Sequence, residues 1–187
     1  DEYTAVLFLD VDRFKLINDS YGHHVGDELL KVISVRLAGC IRPTDLAARL
    51  SGDEFGIVLH PITSVGDAID IAETIRSCFE EPIEVNRQIL YTSLSIGIAL
   101  NHRPRQTSGS LMRDADTALY RAKAHSRGSY EIFDRRMFRE VTAKMKLDTA
   151  LRTAVKKRNF ELMLQPIYDV HNLGLHSFEA LIRWRDS

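Results

Sequence analysis

Along the chain the spacing of apolar positions changes several times, and each change predicts an element. Residues 3–9, Tyr-Thr-Ala-Val-Leu-Phe-Leu, form a β-prone run with little polar alternation, as in a strand covered on both faces. The run ends in Asp10-Val11-Asp12. A short helix is expected from Arg13 to Asp19, stopping near Gly22. A second follows from about His24 to Ile41, with Leu29, Leu30, Ile33, Leu37 and Ile41 at helical spacing and Pro43 just beyond. Strands near 45–50 and 55–59 flank Ser51 to Glu54. Residues 66–80 return to helical spacing through Ile71, Ala72, Ile75 and Phe79. Residues 83–100 predict a hairpin around Asn86-Arg87 whose long arm carries Tyr91, Leu94, Ile96, Ile98 and Leu100. Polar residues from Arg103 to Gly109, with Pro104 among them, predict a loop. A helix over Leu111 to His125 and a strand over Tyr130 to Phe133 complete this part.

The pattern then changes character. Residues 136–158 carry Phe138, Val141, Met145, Leu151 and Val155 at helical spacing, and much of the remainder is basic. That suits a connecting helix with a solvated or partner-binding face. Two more strands are expected at Phe160 to Ile167 and Leu175 to Ile182. The resulting division is 1–135, 136–158 and 159–187. For the first part the order of elements predicts an α/β sandwich: a central mixed or antiparallel sheet flanked by helices, without strict βαβ alternation.

Composition narrows the function classes. The chain has 187 residues, 44% hydrophobic and 27% charged, as in an ordinary globular protein. A formal net charge of -1 gives no bulk attraction to a nucleic-acid polymer or an anionic membrane, so an anionic ligand needs a local cluster of cations. The two cysteines, Cys40 and Cys78, fall on apolar helix faces and are expected to be buried and reduced, in a cytoplasmic setting. There is no membrane span or signal peptide in the sequence. The chain starts without Met and stops after an apolar segment, as expected of a piece of a longer protein, and membrane attachment of that parent stays open.

The chemistry concentrates at residues 49–55, Arg-Leu-Ser-Gly-Asp-Glu-Phe. Gly52 and Asp53 tolerate a hairpin reversal, which puts Asp53 and Glu54 side by side at its tip. Adjacent carboxylates repel unless a cation lies between them. If the strand ending at Asp10 is a neighbour, Asp10 and Asp53 converge on one site, with the Val11 carbonyl as a further oxygen. Magnesium suits such a set, since it takes one or two carboxylates and completes its shell with substrate phosphates. A solvated acidic turn, and Asp10 as a helix N-cap, are the plain alternatives. Lys15, Lys123 and Arg127 are candidate phosphate cations; the last two are four residues apart and share a helix face if that helix persists.

Three motifs carry a resemblance. Asp10-Val-Asp-Arg-Phe-Lys-Leu-Ile-Asn-Asp19 followed by Gly22-His23 and Gly26-Asp27, then Arg49 to Phe55, then Ala115-Asp116 with Ala118-Leu119-Tyr120 and Ala122-Lys123, together resemble the GGDEF domain over about residues 3–134. The resemblance implies a diguanylate cyclase, condensing two GTP into cyclic di-GMP and two pyrophosphates, with a fold similar to nucleotidyl cyclase and polymerase palm domains. It implies Asp10, the Val11 carbonyl and Asp53 on magnesium (or manganese). Asp53 would help activate the attacking 3′-hydroxyl, and Glu54 would support the site. Asn18 and Asp27 would meet guanine, and Lys15, Lys123 and Arg127 the phosphates. One site holds one GTP, so catalysis implies a homodimer. Ser51 stands where Gly is usual, which matters only if that position needs a glycine backbone. Arg42 and Asp45 match the Arg-x-x-Asp inhibitory site for cyclic di-GMP, although a basic residue at a helix C-terminus also has a dipole explanation. Gln165-Pro-Ile and Glu179-Ala-Leu-Ile-Arg183-Trp resemble the start of an EAL phosphodiesterase domain, implying Glu179 as a metal ligand with Gln165 and Arg183 near the dinucleotide. No phosphodiesterase activity is expected from so short a piece.

Overall fold

The computed structural model describes residues 3–101, 107–171 and 173–184. The chain divides into two units, Asp1–Phe138 and Arg139–Ser187. The first contains β1 (Tyr3–Val11), α1 (Phe14–Tyr21), α2 (His23–Gly39), β2 (Leu46–Ser51), β3 (Glu54–Ile62), α3 (Val65–Cys78), β4 (Ile83–Val85), β5 (Gln88–Leu90), β6 (Leu94–Leu100), α4 (Ser108–His125) and β7 (Tyr130–Ile132). Five strands form one sheet in the order β2-β3-β1-β6-β7. All pairs are antiparallel except β6 with β7. This is the expected mixed α/β sandwich.

β1 is central, and the alternation of its side chains sorts the two layers. Ala5, Leu7, Leu9 and Val11 enter a large core with Leu29, Ile33, Leu37, Ala72 and Ile75, so α1, α2 and α3 cover that face. Val6 belongs to a smaller cluster with Ala99, Leu111 and Ala115, and Phe8 packs against it, so α4 covers the other. α4 lies very close to β6. A Cβ on Gly97 would fall 2.1 Å from the Ala115 carbonyl oxygen and 2.2 Å from the Leu119 nitrogen, so only glycine lets the helix backbone sit there.

Several expectations are corrected in detail. The hairpin at Asn86-Arg87 exists, with both residues at positive φ (51° and 66°) as a two-residue turn of the primed class needs. Its long arm, however, is broken: β4 and β5 form a separate two-stranded ribbon, and only Leu94 onward joins the main sheet. Tyr91 lies in the break and is exposed. β3 runs on to Ile62, beyond the expected end at 59. α4 begins at Ser108, inside the predicted loop, because Thr107 caps it by accepting from the Ser110 N–H. The rest of that loop, residues 103–106, lies outside the described residues. Cys40 is buried, but Cys78 is only half-buried.

The second unit contains most of α5 (Arg135–Lys157), with β8 (Phe160–Tyr168) and β9 (Leu175–Trp184). The expected apolar positions Phe138, Val141 and Met145 of α5 have side chains outside the described set. β8 and β9 pair antiparallel, and their register separates two faces. Phe160, Leu162, Leu164, Phe178, Ile182 and Trp184 share one. Glu161, Gln165, Glu179 and Arg183 share the other, with Gln165 opposite Glu179 and Glu161 opposite Arg183. Among the described residues no helix is long and apolar enough to cross a membrane.

Candidate active site

The acidic site forms where β1 and the β2–β3 turn end together. Ser51 and Glu54 pair across the turn, leaving Gly52 and Asp53 as its two loop residues, with Gly52 at φ +48°. Arg49 Nε donates to the Gly52 carbonyl at 2.8 Å and braces the turn. The Val11 N–H donates to the Asp53 carbonyl at 3.2 Å, which fastens the tip to the end of β1. Ser51 does not occupy a left-handed conformation, and its hydroxyl donates to Glu54 Oε2 at 2.7 Å. The backbone at 51 therefore has no need of glycine, and the serine instead orients a carboxylate.

Asp10 and Glu54 are cross-strand partners. Alternation from Val6 and Phe8 turns Asp10 towards α4, where Lys123 Nζ meets Asp10 Oδ2 at 2.6 Å. Asp10 is a strand residue and not a helix cap; the residue at the N-cap of α1 is Arg13. Burial pushes the Asp10 carboxyl above its usual range, and the charges of Asp53 and Asp12 add to this. The hydrogen bond and charge of Lys123 oppose the rise without cancelling it. Asp116, one face of α4 with Lys123, is also raised, first by desolvation and then by Glu54. Four charged groups from β1, β3 and α4 thus gather beside the turn residue Asp53.

Asp12 has a different role from Asp10. It is buried and accepts from Ser93 Oγ at 2.6 Å, Ser95 Oγ at 2.8 Å and the Gly128 N–H at 2.8 Å. It ties β1 to β6 and to the segment after α4. Arg127 is not on the helix with Lys123: α4 ends at His125, Ser126 is extended and Gly128 has φ +74°. Arg127 still turns inward, with Nε 3.9 Å from Asp12 Oδ1. It lines a cavity of about 500 Å³ with Asp12, Arg13, Tyr91 and Ser93.

Asn18 lies against α2. A Cβ at Gly26 would fall 1.9 Å from Asn18 Oδ1, so the carboxamide rests on the glycine next to Asp27. That oxygen is buried and has no hydrogen-bond partner among the described residues. Asp27 and Lys15 are exposed, and among the described residues no contact joins them to the β1 carboxylates. Arg42 and Asp45 bind each other: Arg42 Nε, Nη2 and backbone N all donate to the Asp45 carboxylate at 2.9–3.0 Å. The His60 N–H adds a longer bond. Burial alone would raise the Asp45 carboxyl, but these donors hold it below its usual range. Its side chain is fully covered, whereas the Arg42 side chain is 45% exposed.

Sequence reasoning missed the anchoring role of Asp12 and the place of Asp116. Asp116 and Lys123 are seven residues apart, two helical turns, which is the signal that could have found the pair.

Fold and site define a mixed α/β domain in which carboxylates at strand ends meet Lys123 and Asp116 of one helix. The family model for the diguanylate cyclase GGDEF domain matches residues 1–129, and the chain belongs to that family. Over 181 residues it is 36% identical to the cyclic di-GMP phosphodiesterase NbdA of Pseudomonas aeruginosa, covering 97% of this chain and 23% of that protein. Over 184 residues it is 39% identical to MucR of the same organism, a bifunctional diguanylate cyclase/cyclic di-GMP phosphodiesterase, covering 98% and 27%. The chain therefore spans about a quarter of the length of these relatives. A solved structure of TpbB from P. aeruginosa comprising only the GGDEF domain superposes with a TM-score of 0.73 at 44% identity, covering 75% of this chain and 83% of that one.

Proposed function

We propose that the first unit is a diguanylate cyclase domain that joins two GTP molecules into cyclic di-GMP and releases two pyrophosphates. The observation that carries this reading is the Asp10–Lys123 contact beside Asp53, a half-buried carboxylate held with a cation at a strand end. The donor set fits magnesium or manganese. Asp10, Asp53 and the Val11 carbonyl are hard oxygen donors, and Lys123 stands in as the cation on Asp10. Among the described residues no group of three or more His, Cys, Asp or Glu is placed to hold a metal. Two carboxylates suit an ion that takes its other ligands from substrate phosphates. When bound, such an ion neutralises charge on the phosphates.

The chain's own residues supply the rest. Asp53 accepts the proton of the 3′-hydroxyl as its oxygen bonds to the α-phosphorus of the facing GTP and pyrophosphate leaves. Lys15, Lys123 and Arg127 carry the negative charge of the phosphates, and Glu54 is held in place by Ser51. Asn18 and Asp27 recognise guanine through an amide and a carboxylate. Each domain holds one GTP, so a homodimer brings two together. Arg42, with its guanidinium fixed by Asp45, binds cyclic di-GMP and provides product inhibition. In the second unit, Gln165, Glu179 and Arg183 belong to the start of an EAL domain, consistent with their common face on β8 and β9. Catalysis of breakdown is not proposed for this unit.

A second reading follows from NbdA, a relative named as a phosphodiesterase. In it, the domain binds GTP or cyclic di-GMP and regulates an attached EAL domain without making product. Incubating the chain with GTP and magnesium, as it is and as a forced dimer, separates the two. Cyclic di-GMP and pyrophosphate that vanish in Asp53→Ala support the cyclase. GTP binding without product in the forced dimer supports the sensor. For the inhibitory site, Arg42→Ala should weaken cyclic di-GMP binding, and unchanged affinity would remove that assignment.

A further inference from the structure

The two cysteines lie far apart in sequence, and the fold brings them together. Cys40 caps the C-terminus of α2 and Cys78 is the last residue of α3. The Cys40 thiol donates to Cys78 Sγ at 3.2 Å. Arg36 already holds these helix ends together: its guanidinium donates to the carbonyls of Cys78, Glu81 and Pro82 at 2.8–3.0 Å. Its charged plane also lies 5.9 Å from the centre of the Phe79 ring. The pair opens onto a surface groove of about 820 Å³ lined also by Arg36, Gly39, Glu73 and Ser77. Nothing in the acidic site uses either sulfur.

We infer that Cys40 and Cys78 are a redox-modifiable dithiol that closes reversibly to an intramolecular disulfide, clamping the end of α2 to the end of α3. Three observations support it. The sulfurs are within about an ångström of bonding distance, so closure needs only a small shift. The helix ends are fixed independently by Arg36, so ordering them is not a further cost. The groove gives a small disulfide oxidant access to the half-buried Cys78. Transient, sensing disulfides of this kind are the usual sort in a reducing compartment.

The oxidant is a low-molecular-weight disulfide such as oxidised glutathione. The Cys78 thiolate attacks one of its sulfurs, that S–S bond breaks and one glutathione thiolate leaves. Cys40 then loses its proton to solvent and attacks the Cys78 sulfur of the mixed disulfide, releasing the second glutathione thiolate. Two cysteines are oxidised and one glutathione disulfide is reduced to two thiols. The order follows from the surroundings. Burial, followed by the hydrogen bond to Cys78, pushes the Cys40 thiol up to about 12, so Cys40 is a poor first nucleophile. Converting Cys78 to the mixed disulfide removes the thiol neighbour that contributes to that rise. The clamp would sit two residues before Arg42, at the start of the turn in which Arg42 and Asp45 are paired.

The test treats the reduced, folded chain with oxidised glutathione. Both thiols should disappear from titration, the intact mass should fall by two hydrogen atoms, and a peptide map should show Cys40 linked to Cys78 within one chain. Dithiothreitol should restore both thiols. In Cys78→Ser, which keeps a hydrogen-bonding hydroxyl beside Cys40, the Cys40 thiol should remain unmodified over the same time. Persistence of both thiols in the parent chain, a stable glutathionyl group on each cysteine, or links only between chains would each overturn the proposal. Rapid modification of Cys40 in Cys78→Ser would overturn the order of attack. None of these readouts depends on GTP turnover.

Discussion

Lys123 Nζ lies 2.6 Å from Asp10 Oδ2, joining the end of α4 to the end of β1 on one face of the sheet. The ammonium is the main force holding down a carboxyl that burial and two neighbouring acids push up. A Lys123→Met variant should therefore show a higher Asp10 pKa in carboxyl-detected NMR titration. The sign for stability follows. A carboxyl raised above 3.8 in the folded state costs stability as pH rises from 3.8 through the folded value. The variant should extend that loss to higher pH, and, on the proposed cyclase function, its GTP turnover should fall on the order of 100-fold, as for removal of one preorganised donor. An unchanged Asp10 titration would show that the contact is absent in solution.

Asp12 should be worth more to stability than to chemistry. Asp12→Ala leaves the hydroxyls of Ser93 and Ser95 and the N–H of Gly128 without their shared acceptor. The expected loss is about 3 kcal/mol in denaturant unfolding. Hydrogen exchange at Gly128 should accelerate in the same variant.

Gly97→Ala tests the seating of α4. The new methyl would meet helix backbone, which cannot rotate away as a side chain can. Unfolding free energy should drop by about 3 kcal/mol. A drop well under 1 kcal/mol would mean that α4 rides higher on the sheet in solution.

Asp67 provides a pH signature remote from the site. It forms a capping box with Ser64 at the start of α3. Bonds from the Thr63 backbone and then from the hydroxyls of Ser64 and Thr63 lower its carboxyl to about 2. A depressed acid stabilises the fold above its unfolded pKa of 3.8 and loses that contribution as pH falls through about 2. Asp67→Asn should flatten the stability profile in that window and lower stability near neutrality, with variant and parent converging as pH falls through about 2.

The sheet was legible in the sequence because its strands are short apolar runs bounded by turn residues, and β1 is apolar on both faces as a central strand must be. The neighbourhood of the acidic turn was legible because strand pairing sets it: Asp10 lies opposite Glu54, and the Val11 N–H holds the Asp53 carbonyl. Three features were not legible, each for a physical reason. Helical spacing extends Lys123 to Arg127, but Ser126 and Gly128 break the helix and leave Arg127 to reach Asp12 from a loop. Tyr91 continues an alternating run, yet the chain leaves the ribbon before joining the main sheet. The contact of Cys40 with Cys78 depends on where two helices end, which neither helix encodes alone.

The β8–β9 ribbon has a consequence for anyone who weighs this protein in solution. One side is a sheet of aromatic and aliphatic groups, with Leu162 at 65% and Ile182 at 70% exposure. Such a face should draw chains together as concentration rises, independently of the homodimer proposed for the cyclase. A dimer seen by sedimentation or light scattering would thus have two candidate interfaces under one mass. Substitution of Leu162 and Ile182 by polar residues should separate them: association through the ribbon should dissolve, and a homodimer of the kind proposed for the cyclase should survive.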